Sequence, residues 1–352
     1  MLHVTDLDML KIESSDDFEH VNTLLYRLGV TDGLPVVPAT VSRIESMLNG
    51  RDPNAILTRL PPLRGQATMY KLAMCAVMAG CRAEYFPIIL AAIEAVIQPE
   101  FNLYGIQTTT GNATPMILIN GPIIDQCNVN AGTNALGPGM QSNATIGRAV
   151  QLILKNIGGA VPGNTDKATL GQPGKYTFCC AENEVANPWG PLHVTRGYAR
   201  EQSTVTVIGA AGIVEVADAN SDTPASVLLT LAHSMTIAGT MGSRYLLGGG
   251  EPLLIITPEH AALIAQDYTR RQAQQFLFDT ARLPLQHFPP ETAKRIRDDR
   301  RLKGINPEAD IRIADCPEDI MLVVIGGAGI KSAYVPTWGG TTRAVTRPIE
   351  TP

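Results

Sequence analysis

The chain of 352 residues is poor in aromatics, at 5%, and in charge, at 17%. Its six cysteines, Cys75, Cys81, Cys127, Cys179, Cys180 and Cys316, form no C-x-x-C pair. That removes the usual redox and zinc spacings and predicts free thiols in a reducing compartment, with no metal site. Long apolar runs are missing too. Leu72 to Gly80 is too short for a membrane span, and Pro87 to Ile97 carries Glu94. The first ten residues hold Asp6 and Asp8 but no lysine or arginine, so a basic secretory leader is not expected and a cytoplasmic location is. The formal net charge is −5, and the densest basic stretch, Lys294 to Lys303, is interrupted by Asp298 and Asp299. This excludes a general nucleic-acid surface and reads as a solvated helix face. A P-loop ending, a GxGxxG fingerprint and a GxSxG elbow are all absent, and with the last goes the support for Ser-His-Asp catalysis.

What is present is a globular composition, 45% apolar, at a length that suits about two domains. The local signals predict a mixed α+β chain of short strands, Gly-rich loops and helices. Ser14 and Ser15 offer caps for a helix stopped by Gly29, and Thr40 caps a second helix ending near Gly50. Arg51 to Gln66, rich in proline, reads as irregular. Thr68 opens a helix stopped by Gly80, Arg82 to Gln98 forms the next, and Met116 to Ile119 is a strand broken by Asn120-Gly121-Pro122. A Gly/Asn-rich loop then runs into a helix from Ala144 to Ile157. Strands are expected at Tyr176 to Cys180, Thr204 to Ile208, Ile213 to Val216, Leu253 to Ile256 and Met321 to Ile325, with helices opened by Thr223-Pro224 and Thr257-Pro258. Three regions follow: a helical region over 1–66, an α/β region with the Gly/Asn-rich loop over 67–222, and a second α/β region over 223–352. A helix, a Thr/Gly loop and a short strand closed by proline occur at Arg82 to Pro122 and again at Pro224 to Pro258. Such units are common, and that reading is preferred. A diverged duplication with a site between the halves is the alternative.

Two segments carry candidate chemistry. In the first, Asn130 to Arg148, glycines such as Gly137 and Gly139 let the backbone approach a ligand. Asn143 caps the following helix, whose N-terminus favours an anion, and Arg148 adds a planar fork for carboxylate or phosphate. An ordinary structural loop before a capped helix explains the same residues equally well. In the second, an apolar strand ends in Cys179-Cys180-Ala181-Glu182-Asn183-Glu184, followed by Asn187-Pro188-Trp189 and His193. Alternation places Cys180 and Glu182 on one face, and burial would raise Glu182 into the range of a general acid or base. Packed thiols with surface carboxylates are the plain alternative. Cys81, after Gly80 and before the next helix, is either acidified by that helix or simply packed in a corner. Gly326-Gly327-Ala328-Gly329 reads as a tight turn, and His20, His233 and His260 as packing or surface residues.

The runs Ala76 to Cys81, Asn143 to Arg148, Pro173 to Tyr176 and Ala181 to Glu184 with Pro188-Trp189 resemble a bacterial family associated with UGSC-type (seleno)protein partners. The resemblance covers most of the chain and brings no established reaction. UGSC-type proteins are similar to the cysteine- or selenocysteine-bearing subunits of amino-acid reductases. This chain has no Cys-Gly-Ser-Cys run, so the resemblance implies that a redox centre would come from a second polypeptide. The expectation is therefore a small-molecule enzyme, or the substrate-binding subunit of one, acting on a small polar or anionic substrate. Thiol-linked reduction and lyase or hydrolase chemistry both stay open. Glu182, Cys180, His193 and Cys81 are its catalytic candidates; Gly137, Gly139, Asn143 and Arg148 hold the anion. No cofactor is named, no nucleic acid or membrane is expected, and an oligomer is. A non-catalytic partner of a thiol- or selenol-bearing protein is the competing expectation.

Overall fold

The structure is a computed structural model that describes residues 17–240 and 250–350. Ser14 and Ser15 and most of the polar stretch 239–251 lie outside the described residues. In chain order, helix α1 (Phe18–Arg27) is capped by Asp17, and Gly29 follows its end at φ 74°. Helix α2 (Val41–Leu48) follows Thr40. Strands β1 (Ile56–Leu60) and β2 (Gly65–Thr68) form a hairpin where an irregular segment was expected. Pro61 and Pro62 fall in its turn, so they cost the ladder no N–H. Thr68 then caps α3 (Met69–Ala79) through a bond from Lys71 N at 3.3 Å, and Gly80 ends it in the left-handed region, as its position predicts.

Helix α4 (Phe86–Val96), α5 (Leu103–Thr108), β3 (Thr114–Asn120), α6 (Ile123–Gln126) and α7 (Gln141–Asn156) come next. They lead to β4 (Cys179–Ala181), α8 (Leu192–Thr195), β5 (Thr204–Ala210) and β6 (Val214–Ala217). The strand expected over Tyr176 to Cys180 is shorter and later, because a 3₁₀ turn occupies Pro173–Lys175. The second half contains α9 (Pro224–Ser234), β7 (Leu253–Ile256), α10 (Pro258–Ile264), α11 (Arg270–Thr280), the short pair β8 (Arg282–Leu283) and β9 (Ile311–Arg312), and α12 (Pro290–Leu302). It closes with β10 (Met321–Val324), β11 (Lys331–Val335) and β12 (Val345–Pro348).

The fold is mixed α+β in four layers. One sheet has the order β12-β5-β3-β4 and the other β6-β11-β7-β10. In each, the last two strands are parallel and the other neighbours antiparallel. Alternation along the strands separates three cores. Met116, Leu118, Cys180 and Ile208 pack face to face with Leu253, Ile255, Met321 and Val323 of the other sheet. The intervening Ile117, Ile119, Val205 and Val207 turn outward onto α2, α3, α4 and α7. Leu254, Ile256, Leu322, Val324 and Tyr334 turn outward onto α9, α10 and α11. Among the described residues no single helix is long and apolar enough to cross a membrane.

The strand orders reveal a repeat, and here the less favoured sequence reading gains the support. β3, β4 and β5 recur as β7, β10 and β11, and each half then sends its next strand to the other sheet. β6 pairs with β11, and β12 pairs with β5. Register equates Val205, opposite Ile119, with Ser332, next along from the Ala333–Ile255 pair, and hence Ala210 with Thr337. Those two residues form a β-bridge with each other. Around it, Ala211 N–H donates to Pro336 O at 2.7 Å and Trp338 N–H to Gly209 O at 2.8 Å, bonds that exchange under the same equivalence. The crossing segments therefore meet on a pseudo-two-fold axis.

Helix α7 lies flat on β4 through Gly147. A Cβ there would sit 2.3 Å from Thr177 Oγ1 and 2.9 Å from Phe178 N. Gly to Ala within an isolated helix gains about 1 kcal/mol. Here overpacking should outweigh it, so Gly147→Ala is expected to destabilise by about 1–2 kcal/mol in urea denaturation.

Candidate functional site

Both parallel pairs, β3/β4 and β7/β10, end at the same place, and crevices beyond the carboxyl ends of parallel strands are where open α/β sheets collect ligands. The two ends are stitched together: Asn183 N–H donates to Val324 O at 2.7 Å and its amide to Gly326 O at 3.2 Å. The Gly/Asn-rich loop joins them. Ala181 N–H donates to Asn130 O at 3.2 Å, and Gly326 N–H to Ala131 O at 2.8 Å. Contact is so close that a Cβ on Gly327 would lie 2.0 Å from Thr133 Oγ1. Three segments singled out in the sequence, the 130s loop, the Ala181 to His193 segment and the Gly326 turn, thus converge.

Within the first loop the asparagines bond inward. Asn143 accepts from Asn130 N at 2.8 Å and donates to Asn130 O at 2.9 Å and Ala135 O at 3.1 Å. Its expected role as a cap is corrected. Helix α7 begins at Gln141, three residues before the expected start at Ala144, with extended Met140 before it, which leaves the Asn143 side chain to lock the loop. Gly137 and Gly139 stand exposed at the loop tip, Gly137 with Asn134 Oδ1 in the space of its missing Cβ and Gly139 at φ 137°. Arg148 is the eighth helical residue, not the fifth, and its fork is filled from within the chain. Nε meets Asp32 Oδ2 at 2.7 Å, Nη2 meets Oδ1 at 2.8 Å, and Pro35 O accepts a further bond at 2.8 Å. Arg148 is thereby aimed at the Thr31 to Pro35 turn, away from the 130s loop.

Beneath the convergence lies a polar cluster. Glu182 is buried, and three N–H donors close on it: Asn187 Nδ2 to Oε1, and Asn120 Nδ2 and Leu192 N to Oε2, each at 2.7 Å. Burial raises its pKa above the usual carboxylate value, against the pull of these donors and of the Arg270 charge. Arg270 bonds Leu322 O at 2.6 Å and Gly190 O, and burial lowers its own pKa. Glu184 sits at the edge, 18% exposed. Its Oε1 accepts from Asn120 Nδ2 at 2.8 Å and Gly121 N at 2.7 Å, while Oε2 has no partner among the described residues. His193 is fully buried, its Nδ1 3.7 Å from Glu184 Oε1, with no hydrogen bond to either ring nitrogen among the described residues. Asn120 Oδ1 and Thr204 Oγ1, opposite each other in register, are likewise unpaired. The structure therefore joins Glu182 and His193 through Asn120 and Glu184.

The thiols have other surroundings. Cys180 faces the core between the sheets and burial pushes its pKa up to about 12; Cys179 faces the helices and is raised well above its ordinary value. Cys81 donates to Thr145 O at 3.2 Å and is also pushed up to about 12 by burial, the opposite of acidification by a helix end. The alternation expected for Cys179 and Cys180 holds, but both are protonated near neutral pH. Among the described residues no group of three or more His, Cys, Asp and Glu is arranged to hold a metal ion.

Asn120, Glu184, Asn187 and Arg270 complete the cluster; none was named as a site residue, though Asn187 stood in the second segment. A strand closed by Asn-Gly-Pro pointed to Asn120, and Glu184 stood in the quoted segment. Arg270, 88 positions from Glu182 in the chain, has no local signal. No protein-family model matches the chain, and no curated protein does.

Two substitutions test this geometry. Glu182→Gln places an amide NH₂ against N–H donors, and a loss on the order of 3 kcal/mol in stability is expected from denaturant titration. Arg148→Ala leaves Asp32 without its partner. It should cost about 2 kcal/mol, with Arg148→Lys recovering only part because Lys lacks the fork.

Proposed function

We propose that the protein is a small-molecule enzyme, or the substrate-binding subunit of one, whose small polar or anionic substrate is held where the three loops converge. The observation that carries this reading is Glu184. It is a carboxylate at the carboxyl ends of two parallel strand pairs, anchored through one oxygen by Asn120 and Gly121 and, among the described residues, free at the other. A carboxylate so held can take a proton from a bound molecule or return one, with buried His193 behind it. Proton transfer of the lyase or hydrolase type therefore fits these residues better than thiol chemistry. Cys180 and Cys81 would have to ionise against burial, so a thiol-linked reduction would draw its reactive sulfur or selenium from another polypeptide. That same point favours the second reading, a partner of a thiol- or selenol-bearing protein of the UGSC type.

The first reading is tested by incubating the purified protein with a small-molecule cell extract and following depletion by mass spectrometry. Wild-type protein should consume at least one compound that Glu184→Gln leaves untouched, both proteins being folded by circular dichroism. Identical extracts in the two reactions would remove Glu184 from the chemistry. Turnover that appears only after a co-expressed thiol- or selenol-bearing protein is added would favour the second reading.

A further inference from the structure

Away from this convergence, a cleft of about 810 Å³ opens between the C-terminal half of α7, the start of β3, the end of α5, the turn at Gly29 to Gly33 and the loop 160–176. None of the eight residues picked out in the sequence lines it. Among the described residues, one of its buried wall side chains lacks any hydrogen-bond partner and another wall side chain lacks a counter-charge. Gln107 is only 6% exposed, yet neither its amide nitrogen nor its oxygen makes a hydrogen bond. Buried amides with both ends unmet are rare in native proteins. Lys155, in the last turn of α7, donates to Gly29 O and, at 3.4 Å, to Asn156 Oδ1, both neutral.

The charges around Lys155 do not balance it. Four charged side chains line the cleft: Lys155, Asp32, Lys175 and Asp166. Both Asp32 oxygens are taken by Arg148, and Asp166 is paired with Lys175 at 2.6 Å. Among the described residues no carboxylate lies within salt-bridge distance of the Lys155 ammonium, so it is the cation left over. Burial lowers its pKa, and Asp32 and then the Cys75 thiol offset part of that shift. One turn earlier, Gln151 is already engaged with Thr114 Oγ1 at 2.9 Å. The unmet groups are therefore one ammonium and one amide on the walls of a single cleft.

We propose that this cleft is a second ligand site, taking a small organic anion whose carboxylate or phosphate group pairs with Lys155 and whose polar body hydrogen-bonds Gln107. It is a different site from the one assigned to Glu184, and stands or falls separately. The ligand selects the protonated lysine. Affinity is full below the lowered pKa of Lys155 and falls as pH rises through it, at a lower pH than an exposed lysine would give.

The test is calorimetric titration of the full chain at low salt with succinate and, separately, with glycerol 3-phosphate. At least one should bind, and which one does identifies the head group. Loss of a charge-assisted bond predicts that Lys155→Met weakens binding at least about tenfold, with a smaller loss for Gln107→Leu. In case either variant folds poorly, amine labelling of the wild-type chain by trinitrobenzenesulfonate, read by peptide mass, gives a second measure. The bound anion should protect Lys155 and leave exposed Lys167 unprotected. The proposal is overturned if neither anion binds, if the folded variants bind as wild type does, or if Lys155 is labelled equally with and without ligand. Waters alone at Lys155 and Gln107 would give those outcomes.

Discussion

Everything else in this molecule depends on the crossing at Ala210 and Thr337. Two chain segments, each leaving one sheet for the other, hydrogen-bond to one another as they pass. Because each sheet takes its fourth strand from the opposite half, the sheets cannot slide or separate without breaking β6–β11 or β12–β5 pairing. That fixes the face-to-face packing of the inner cores. It also fixes where the parallel pairs end, and so brings loops from distant parts of the chain to one place.

The two halves share a frame but differ at its ends. Where the first half carries Asn120, Glu182 and Glu184 beyond its parallel strands, the second carries Thr257, Ile325 and Gly327. The polar side chains of one half need room, and the glycines of the other make it. Gly327 lets the backbone touch Thr133, where a side chain of its own would intrude, and Gly326, at φ 109°, turns the chain so that it bonds Ala131 and Asn183. Symmetry in the scaffold thus supports an asymmetric cluster, with one set of carboxylates and one imidazole at a position built twice.

Local chemistry made the helices readable. Thr68 before Met69, Gly80 after Ala79 and Thr223-Pro224 mark ends that depend on a few adjacent atoms. The strand β11 was hidden, because Lys331 to Val335 follows a glycine turn and its partners, Val214 to Ala217 and Leu253 to Ile255, are remote in the chain. The same limit applies to the candidate sites. Glu182 and His193 stood near each other in sequence and meet in space, whereas the partner of Arg148 lies back at Asp32 and the charge beside Glu182 comes from Arg270. Asn143 shows a third kind of difficulty: it was expected to cap the helix, but the helix starts before it, and its side-chain bonds go to a loop instead. The cleft beside Lys155 had no motif at all, since its walls are assembled from five separate stretches.

The position of β12 has a consequence for synthesis. It completes the sheet begun by β3, β4 and β5, yet among the described strands it follows all the others in chain order and is made after β7, β10 and β11. Until then β5 presents an open edge beside a finished helical layer, and the Thr206 hydroxyl awaits Thr346. The first half therefore lacks one strand of its own sheet until most of the second half has been made, and its β5 edge stays open through that interval.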